Sequence, residues 1–502
     1  MKKKVIIIGG GISGLSTGSY LQMNGFDTEI YELHDIPGGV CTTWKRKNYL
    51  VDLCVHWFVG SRNVVDYYKV WQELLPMDKL KFVDHDVFLK VSDENKNFIN
   101  IYSNIDKLEK ELLEKAPEDI EVINKIIYFA RKCKKLDFEV LKAPNLLSFF
   151  EKTIMFLKLA PFAVLMTKYG GKTIRNFADQ CKNPLLKKTL MSFFLPDSSI
   201  LFLAITLGWI DKRCAGYPIG GSQNISNLLE KRFTELEGKI YYKSRVNKIL
   251  VKDNKAYGII LANGTEINAD IVISCGDGYD TIYNMLEGKY TDEKIDKFYR
   301  EFQLFPSHVF IAYGVSRKIV TEEINMTQIF AKKPFTVDDK TECNSIMVRV
   351  FNFDPTLNGE ENTTISVSVG TDNYEYWNNL YQNDREKYNK EKTRVSDIVL
   401  DILDDYYGNI KANVKMVDIS TPVTVKRYTN NWKGSFEGWY PTPQVILTQF
   451  PKTLPGLDNF YLISQWTNQG GGICQCAVSG RNITQTLCKS EKIKFTTTLI
   501  SS

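Results

Sequence analysis

The sequence predicts an α/β fold that is interrupted by an inserted α+β unit. A β-branched run at residues 5–8 precedes a glycine-rich turn and a helical segment, as a strand buried on both faces would. Further strand-like runs occur at residues 246–251, 256–261, 270–274 and 459–463, far along a chain of 502 residues. Since segments of mixed helix and strand character separate these runs, the first unit is expected to be discontinuous.

Composition and charge indicate an ordinary globular protein. Charged residues make up 25% and hydrophobic residues 43%, and the net charge is +5. No basic block suggests a nucleic-acid partner. Ten scattered cysteines predict reduced thiols and a cytoplasmic location. The apolar run after the basic start ends at Gly9, which favours a strand over an export signal.

The first glycine-rich turn has the spacing of a dinucleotide-binding loop. Gly9, Gly11 and Gly14 follow the first strand in GxGxxG order, and residues 16–24 are typical of a helix. The first glycine permits the tight turn, the second lets a pyrophosphate approach the backbone, and the third lets helix and strand pack closely. The predicted phosphate-binding residues are Gly9, Gly11, Ile12, Ser13 and Gly14.

An acidic residue ends the second predicted strand. Glu32 follows the strand-like residues 28–31 and can accept hydrogen bonds from the hydroxyls of an adenosine ribose. A carboxylate at this place would repel a 2′-phosphate, so NADP is disfavoured here. FAD and NAD share this pattern, and the residues that follow distinguish them.

Two segments after Glu32 carry a family resemblance. The sequence PGGVCTTW contains Gly38 and Gly39, and NYLVDLCVHWFVG occupies residues 48–60. They resemble FAD-dependent phytoene desaturases, carotenoid isomerases and retinol saturases of the amine oxidase superfamily. This resemblance implies a FAD-binding Rossmann-type domain of the glutathione-reductase and amine-oxidase kind. Val40 stands where many relatives have arginine, and Cys54 replaces a usual glycine.

The resemblance also assigns residues to parts of the cofactor. The loop that contains the glycine pair and Thr42 would run beside the cofactor phosphates. The backbone of Val246 would contact the adenine. Cys275 and Gly276 would form a turn near the pyrophosphate. In NQGGGICQCAVSG (residues 468–480), a strand–glycine–helix unit would close the site, and its helix would face the flavin ring. The residues expected to approach the ring are Gly471, Gly472 and Ile473.

Domain boundaries follow from these segments. Residues 1–86, 214–280 and 440–490 are predicted to form the FAD-binding domain, and residues 87–213 and 281–439 the substrate domain. Within residues 146–175, the apolar run 154–167 is too short to cross a bilayer, so this region either lies on a membrane surface or lines a buried pocket. The segment 421–442 resembles a Thr-Pro strand that leads to a turn bounded by Gly434 and Gly438.

Catalytic candidates are few. The chain has four histidines and neither HExxH nor CxxC, so no metal site is predicted. His56 matches a histidine of the retinol saturase-like pattern and is a candidate proton donor, with a structural role as the alternative. Cys474 and Cys476 are interpreted as small packing residues.

The function that the resemblance implies is FAD-dependent redox chemistry at carbon–carbon double bonds of an apolar isoprenoid or lipid-like substrate. Desaturation, saturation and redox-linked isomerisation all remain open, with NAD(P)H or a quinone as redox partner. A flavin amine oxidase acting on a C–N bond is one alternative, and a non-catalytic flavin-binding scaffold is another. A peripheral membrane position is compatible with each of them.

Overall fold

The structure is a computed structural model that describes residues 2–136, 138–319, 321, 323–357, 359, 361–468 and 470–500. Gln469, within the second glycine-rich segment, lies outside the described residues.

The strands within these residues are β1 (Lys4–Ile8), β2 (Asp27–Tyr31), β3 (Thr43–Arg46), β4 (Tyr49–Asp52), β5 (Phe58–Val59), β6 (Phe82–Val83), β7 (Val87–Ser92), β8 (Phe98–Tyr102), β9 (Ala215–Pro218), β10 (Lys239–Tyr241), β11 (Val246–Lys252), β12 (Lys255–Leu261), β13 (Glu266–Asn268), β14 (Ile271–Ser274), β15 (Ser307–Val315), β16 (Ile324–Thr336), β17 (Glu342–Val350), β18 (Thr363–Thr371), β19 (Val414–Ser420) and β20 (Phe460–Leu462).

The α-helices are α1 (Ile12–Met23), α2 (Asp66–Leu74), α3 (Ile105–Lys115), α4 (Ile120–Lys134), α5 (Phe149–Tyr169), α6 (Ile174–Ala178), α7 (Pro184–Phe193), α8 (Ile200–Asp211), α9 (Gly221–Glu235), α10 (Glu293–Glu301), α11 (Tyr374–Asn383), α12 (Arg385–Tyr407), α13 (Pro422–Thr429), α14 (Pro443–Leu447) and α15 (Ile473–Ser490).

A five-stranded parallel sheet forms the first unit. Its order is β10-β2-β1-β14-β20, and each neighbouring pair is parallel. The strands come from three separate parts of the chain, so the unit is discontinuous as predicted. Helix α1 packs against α9 and α15, and the small sheet β11-β12-β13 lies nearby. The predicted α/β fold class is confirmed.

The sequence of β1 explains its central position. Val5 and Ile7 belong to the hydrophobic cluster that contains α1 residues, whereas Ile6 and Ile8 belong to the cluster that contains β11 residues. Since successive side chains of a strand point to opposite faces, a run of four apolar residues serves a sheet that is covered on both sides. The same run predicted a buried strand from the sequence.

The second unit is an α+β assembly. A seven-stranded sheet has the order β19-β15-β18-β17-β16-β7-β8 and is antiparallel except between β16 and β7. Buried residues of β15–β18 form one hydrophobic cluster with α11 and α12. The helices α3–α8 connect β8 to β9. The exact domain boundaries of the preceding subsection stay a prediction.

Two local expectations are corrected. Helix α1 begins at Ile12 instead of residue 16, so Gly14 already belongs to the helix. The segment that begins at Thr421–Pro422 is the helix α13, not a strand. Proline is favoured at the first helical position because its missing N–H is one of those that no helical partner would accept. The Thr421 N–H donates a hydrogen bond to the Thr424 hydroxyl oxygen at 3.2 Å.

Helix α5 is exposed along an apolar face. Phe149 is 88% exposed, Phe150 72%, and Phe156, Leu157 and Val164 are each 66% exposed. The opposite face packs on the hydrophobic core, where Leu165 is buried, so the helix has one exposed and one packed apolar side. In the described part of the chain, none of the helices combines the length and apolar character needed to span a bilayer.

Candidate functional site

A cavity lies at the carboxyl ends of the parallel strands. This main cavity has an accessible volume of about 160 Å³ and is bordered by the ends of β1, β2 and β14 and by the starts of α1 and α15. Ligands of open α/β sheets bind at this edge, where the loops diverge from the strands. The geometry of the sheet therefore places a ligand among residues from distant parts of the chain.

The loop between β1 and α1 forms the near wall of the main cavity. Gly9 has a φ of +99°, which side chains rarely tolerate. A Cβ on Gly14 would lie 2.0 Å from the Gly9 carbonyl oxygen, so helix and strand touch as predicted. A Cβ on Gly11 would meet no protein atom closer than the Gly38 carbonyl oxygen at 3.8 Å. The space beside Gly11 is therefore open to a ligand.

Glu32 is held in place by backbone donors. Its carboxylate accepts hydrogen bonds from the Gly10 N–H at 2.6 Å and the His34 N–H at 2.8 Å. The side chain is buried and lines the main cavity. Burial raises the pKa of Glu32, while the two N–H donors oppose this shift. Each carboxylate oxygen keeps a lone pair, so the group can also accept a ribose hydroxyl.

The Gly38–Gly39 turn lies against Gly11. Gly38 and Gly39 have φ values of +114° and +63°, and both line the main cavity. A Cβ on Gly38 would lie 2.4 Å from the Ser226 hydroxyl oxygen, so α9 fixes this turn. The structure thus brings the second glycine motif beside the first.

The residues predicted for the adenosine end and for the pyrophosphate turn line the same cavity. Val246 lines the main cavity at the start of β11, next to Arg245. Cys275 and Gly276 line it immediately after β14, and a Cβ on Gly9 would approach the Gly276 N–H at 3.3 Å. Their roles toward a cofactor stay a prediction.

The second glycine triplet forms the far wall of the main cavity. Gly470, Gly471 and Gly472 have φ values of +83°, +63° and +90°. Gly472 and Ile473 line the cavity, and Gly471 lies behind them against Glu437. A left-handed run of this kind turns the chain sharply into α15.

The N-termini of two helices direct uncapped N–H groups into the main cavity. The residues at the N-caps of α1 and α15 are Gly11 and Gly472, and neither helix has a side-chain hydrogen bond at its cap. An uncapped helix N-terminus carries a partial positive charge and attracts anions. The buried Gln465 Nε2 also borders the cavity and has no partner within the described residues. The cavity therefore fits a cofactor that presents phosphates at one end and a polar ring at the other.

Two predicted site residues lie elsewhere. Thr42 is not among the described residues that line the main cavity, and its hydroxyl is 3.0 Å from the Gln223 Oε1. His56 borders a second, small cavity of about 10 Å³ together with His85. Burial and the nearby Arg349 and His308 lower the pKa of His56, so its ring is neutral at neutral pH. Its role as a proton donor stays a prediction.

Sequence reasoning missed several residues of the main cavity. Cys41, Cys54, Asp277 and Glu437 line it, and none of them had been singled out as a site residue. Asp277 accepts the N–H groups of Asp280 and Trp432, each at 2.7 Å. In the segment 421–442, which contains Glu437, the sequence resemblance rests on the Thr-Pro motif and on Gly434 and Gly438. The sequence around Glu437 does not indicate that its carboxyl group contacts the second glycine triplet.

The two cysteines of the second glycine segment are packing residues. Burial raises the pKa of Cys474 to about 12 and that of Cys476 to about 11, so both are thiols at neutral pH. Among the described residues, no group of three histidine, cysteine or acidic side chains could hold a metal ion.

Comparison with known proteins gives matches over almost the whole chain. Residues 12–488 match the family described as flavin containing amine oxidoreductase. A chloroplastic prolycopene isomerase from Daucus carota is 24% identical over 500 residues, which are 95% of this chain and 78% of that protein. An inactive all-trans-retinol 13,14-reductase from Danio rerio is 21% identical over 455 residues, which are 84% of this chain and 75% of that protein.

A solved structure shares the fold. Cyclohexylamine oxidase from Brevibacterium oxydans IH-35A has a TM-score of 0.59 and 13% identity, and the match covers 98% of this chain and 100% of that one. At this identity the likeness concerns architecture alone.

Proposed function

Because the chain belongs to the family of flavin-containing amine oxidoreductases, we propose that it is an FAD-dependent enzyme acting on carbon–carbon double bonds of an apolar isoprenoid or lipid-like substrate. The resemblance predicted from the sequence is thereby confirmed at the level of the family. The observation that carries the cofactor assignment is that two uncapped helix N-termini and Glu32 border one cavity.

The chain's own residues account for the binding of FAD. The N–H groups at the start of α1 would hold the pyrophosphate, and Glu32 would accept the ribose hydroxyls. Gly472 and Ile473, at the start of α15, would hold the ring and favour negative charge on it. Flavin supplies hydride transfer, while the protein orients the ring and excludes water.

The substrate class is supported by relatives and by the lining of the main cavity. The names of the two relatives refer to prolycopene and to all-trans-retinol. Phe436, the neighbour of Glu437, places an aromatic ring in the main cavity. Apolar surface with a few polar groups suits a polyene, which offers little to hydrogen-bond. Isomerisation, saturation and desaturation are all compatible with these features.

The direct test uses purified protein that has been reconstituted with FAD. We expect visible flavin absorbance and, under anaerobic conditions, conversion of a carotenoid or retinoid that chromatography resolves. Reduction of the flavin by simple amines, without conversion of any polyene, would instead assign the protein as an amine oxidase. Bound FAD with neither reaction would indicate a non-catalytic scaffold.

We also propose that NAD(P)H or a quinone exchanges electrons with the flavin. Anaerobic mixing separates the two partners. Bleaching of the flavin by NADH or NADPH would assign a nicotinamide donor, whereas reoxidation of reduced enzyme by a quinone analogue would assign a quinone acceptor. Failure of both would contradict this proposal without affecting the assignment of FAD.

Helix α5 supports a peripheral position on an anionic membrane. Residues seven apart in a helix fall within about 20° of one another, so the exposed Phe149, Phe150, Phe156, Leu157 and Val164 share one face. Lys152, Lys168 and Lys172 lie on or just beyond the same helix. A helix of this kind can bury its apolar face at a lipid headgroup boundary while its cations meet anionic lipids.

A vesicle assay tests this position. Replacing Phe156 and Leu157 by glutamate should weaken co-sedimentation with mixed phosphatidylcholine–phosphatidylglycerol vesicles by about 10-fold or more. The matched control is Leu447→Glu, because Leu447 is 65% exposed but lies outside α5. Equal binding of the double variant and the wild type would contradict the proposal.

A further inference from the structure

Glu437 differs from the other two carboxyl groups that line the main cavity. Glu32 accepts two backbone N–H donors, and Asp277 accepts two as well. Within the described residues, no hydrogen bond or ion pair is formed by the carboxyl group of Glu437, although it borders the same cavity. A carboxyl group without a partner in such a place is available to a ligand.

The backbone around Glu437 is fixed. Gly434 has a φ of +65°, and a Cβ there would lie 2.3 Å from the Pro422 carbonyl oxygen. The Ser435 hydroxyl lies 2.9 Å from the Gly438 carbonyl oxygen and 3.1 Å from the Phe305 carbonyl oxygen. These contacts hold the turn that presents Glu437 to the cavity.

The Glu437 carboxyl lies directly against the second glycine triplet. A Cβ on Gly471 would lie 2.9 Å from its Oε2 and 3.0 Å from its Cβ. Gly472 and Ile473 follow at once and border the cavity. The carboxyl is therefore at the end of the main cavity that is assigned to the flavin ring, away from Glu32 and Val246.

The groups that face Glu437 from neighbouring elements are uncharged at neutral pH. Cys54 follows β4, and Cys474 and Cys476 belong to α15; each thiol interacts electrostatically with Glu437 and has a raised pKa. His308 in β15 packs edge-on against Phe436, with ring centres 6.1 Å apart. Burial lowers the pKa of His308 to about 4, so this ring is neutral too.

Among the described residues no cation offsets this burial, so burial controls the protonation of the Glu437 carboxyl group. It raises the pKa of Glu437 to about 7, because a charge in an apolar setting is costly. Near neutral pH such a group exchanges its proton readily, and this is what an acid–base catalyst requires.

From this geometry we propose that Glu437 is the proton-transfer residue of the active site, an inference that rests on the proposed action on carbon–carbon double bonds. Saturation adds one hydride and one proton across the double bond. FAD reduced by NAD(P)H would supply the hydride, and the neutral Glu437 donates the proton, becomes a carboxylate and is reprotonated from solvent. In the desaturation direction the carboxylate accepts the proton, the hydride would pass to oxidised FAD, and a quinone would take up the two electrons.

The test compares wild type, Glu437→Gln and Glu437→Asp, each reconstituted with FAD. We expect Glu437→Gln to bind FAD within about twofold of wild type and to convert polyene about 100-fold more slowly. Glu437→Asp keeps an acid and should recover part of the rate. Wild type should show a pH-dependent change of flavin absorbance with a midpoint near neutrality, which Glu437→Gln lacks.

Each further outcome bears on a separate claim. Unchanged conversion by Glu437→Gln, or the same absorbance titration as wild type, would overturn the assignment of Glu437 while leaving the proposed function intact. A titration that depends on Glu437 in a protein that converts no polyene would support the acid at the ring and refute the substrate class. If Glu437→Gln does not fold, a wild-type profile without a midpoint between about pH 5.5 and 8.5 would overturn the proposal.

Discussion

Two glycine triplets, residues 9–11 and 470–472, lie at opposite walls of the main cavity. Different physical constraints fix their conformations. In the first triplet only Gly9 has a left-handed backbone, and the tightest contact of the loop is that of Gly14 with the Gly9 carbonyl oxygen. In the second, all three glycines have positive φ, and the contact of Gly471 is with the side chain of Glu437. The first loop is thus constrained by close packing of its own backbone, and the second by backbone conformation and a distant segment.

Replacing Gly14 by alanine should have the largest effect. The added methyl group would lie 2.0 Å from the Gly9 carbonyl oxygen, so strand β1 and helix α1 would have to move apart. We expect a loss of about 3 kcal/mol in the free energy of unfolding and no measurable binding of FAD. Urea unfolding and flavin fluorescence measure both quantities. Gly171→Ala is the control because a Cβ there meets nothing within 4 Å, and equal effects of the two changes would refute the packing argument.

Replacing Glu32 by alanine should act on the cofactor more than on the fold. The substitution removes the acceptor of the Gly10 and His34 N–H groups and of the expected ribose hydroxyls. Losing charged hydrogen bonds worth about 1.5–3 kcal/mol should weaken FAD about 10-fold to 100-fold. Glu32→Gln keeps one side-chain oxygen, so its affinity for FAD should lie between those of the wild type and Glu32→Ala. Titration of apoprotein with FAD gives the affinities, and an unchanged affinity for Glu32→Ala would contradict the assignment of the near wall.

Replacing Gly472 by alanine isolates the property of the far wall. Among the described residues its Cβ would meet only the Cys474 Sγ at 4.0 Å, so space is available, but a φ of +90° strains an alanine. We expect a loss of about 1–2 kcal/mol in the free energy of unfolding, without the steric disruption of Gly14→Ala. Denaturant unfolding of the apoprotein measures it. A neutral substitution would mean that the turn into α15 does not need glycine.

The smallest effect concerns Cys474 at the start of α15. Thiolates react with iodoacetamide and thiols do not, and the pKa of Cys474 is raised to about 12, which leaves about one thiolate in 10⁴ at pH 8. Reactivity is thus absent below the raised pKa and appears only as the pH approaches it. Peptide mass spectrometry should find Cys474 unmodified in native protein and modified after unfolding in guanidinium. Rapid native modification would show that the far wall is open.

Much of the near wall could be predicted because its determinants are adjacent in sequence. Gly9, Gly11, Gly14 and Glu32 belong to one strand–helix–strand unit, and steric rules link their spacing to their positions. The later segments at Val246, Cys275 and Gly472 were placed by family resemblance, and the structure brings them to the same cavity.

Three of the sequence predictions depend on packing that a local pattern does not contain. His56 was chosen from its sequence pattern, yet the fold turns it toward a second cavity with His85. The segment 154–167 was compatible with a buried helix or a surface helix, because the apolar residues alone do not say what covers them. The same limit applies to Thr421–Pro422, whose proline suits both a strand edge and the first turn of a helix.

By itself the sequence determined the α/β class and the dinucleotide-binding loop, because these follow from local strand, turn and helix rules. The flavin-dependent family came from the resemblance of its motifs to known proteins. Only the tertiary structure decided that Glu437 lies against Gly471 with no hydrogen-bond partner among the described residues, that His56 borders the second cavity, and that one apolar face of α5 is exposed. Burial and proximity depend on which distant segments pack together, and a pKa or an open surface exists only after that packing is formed.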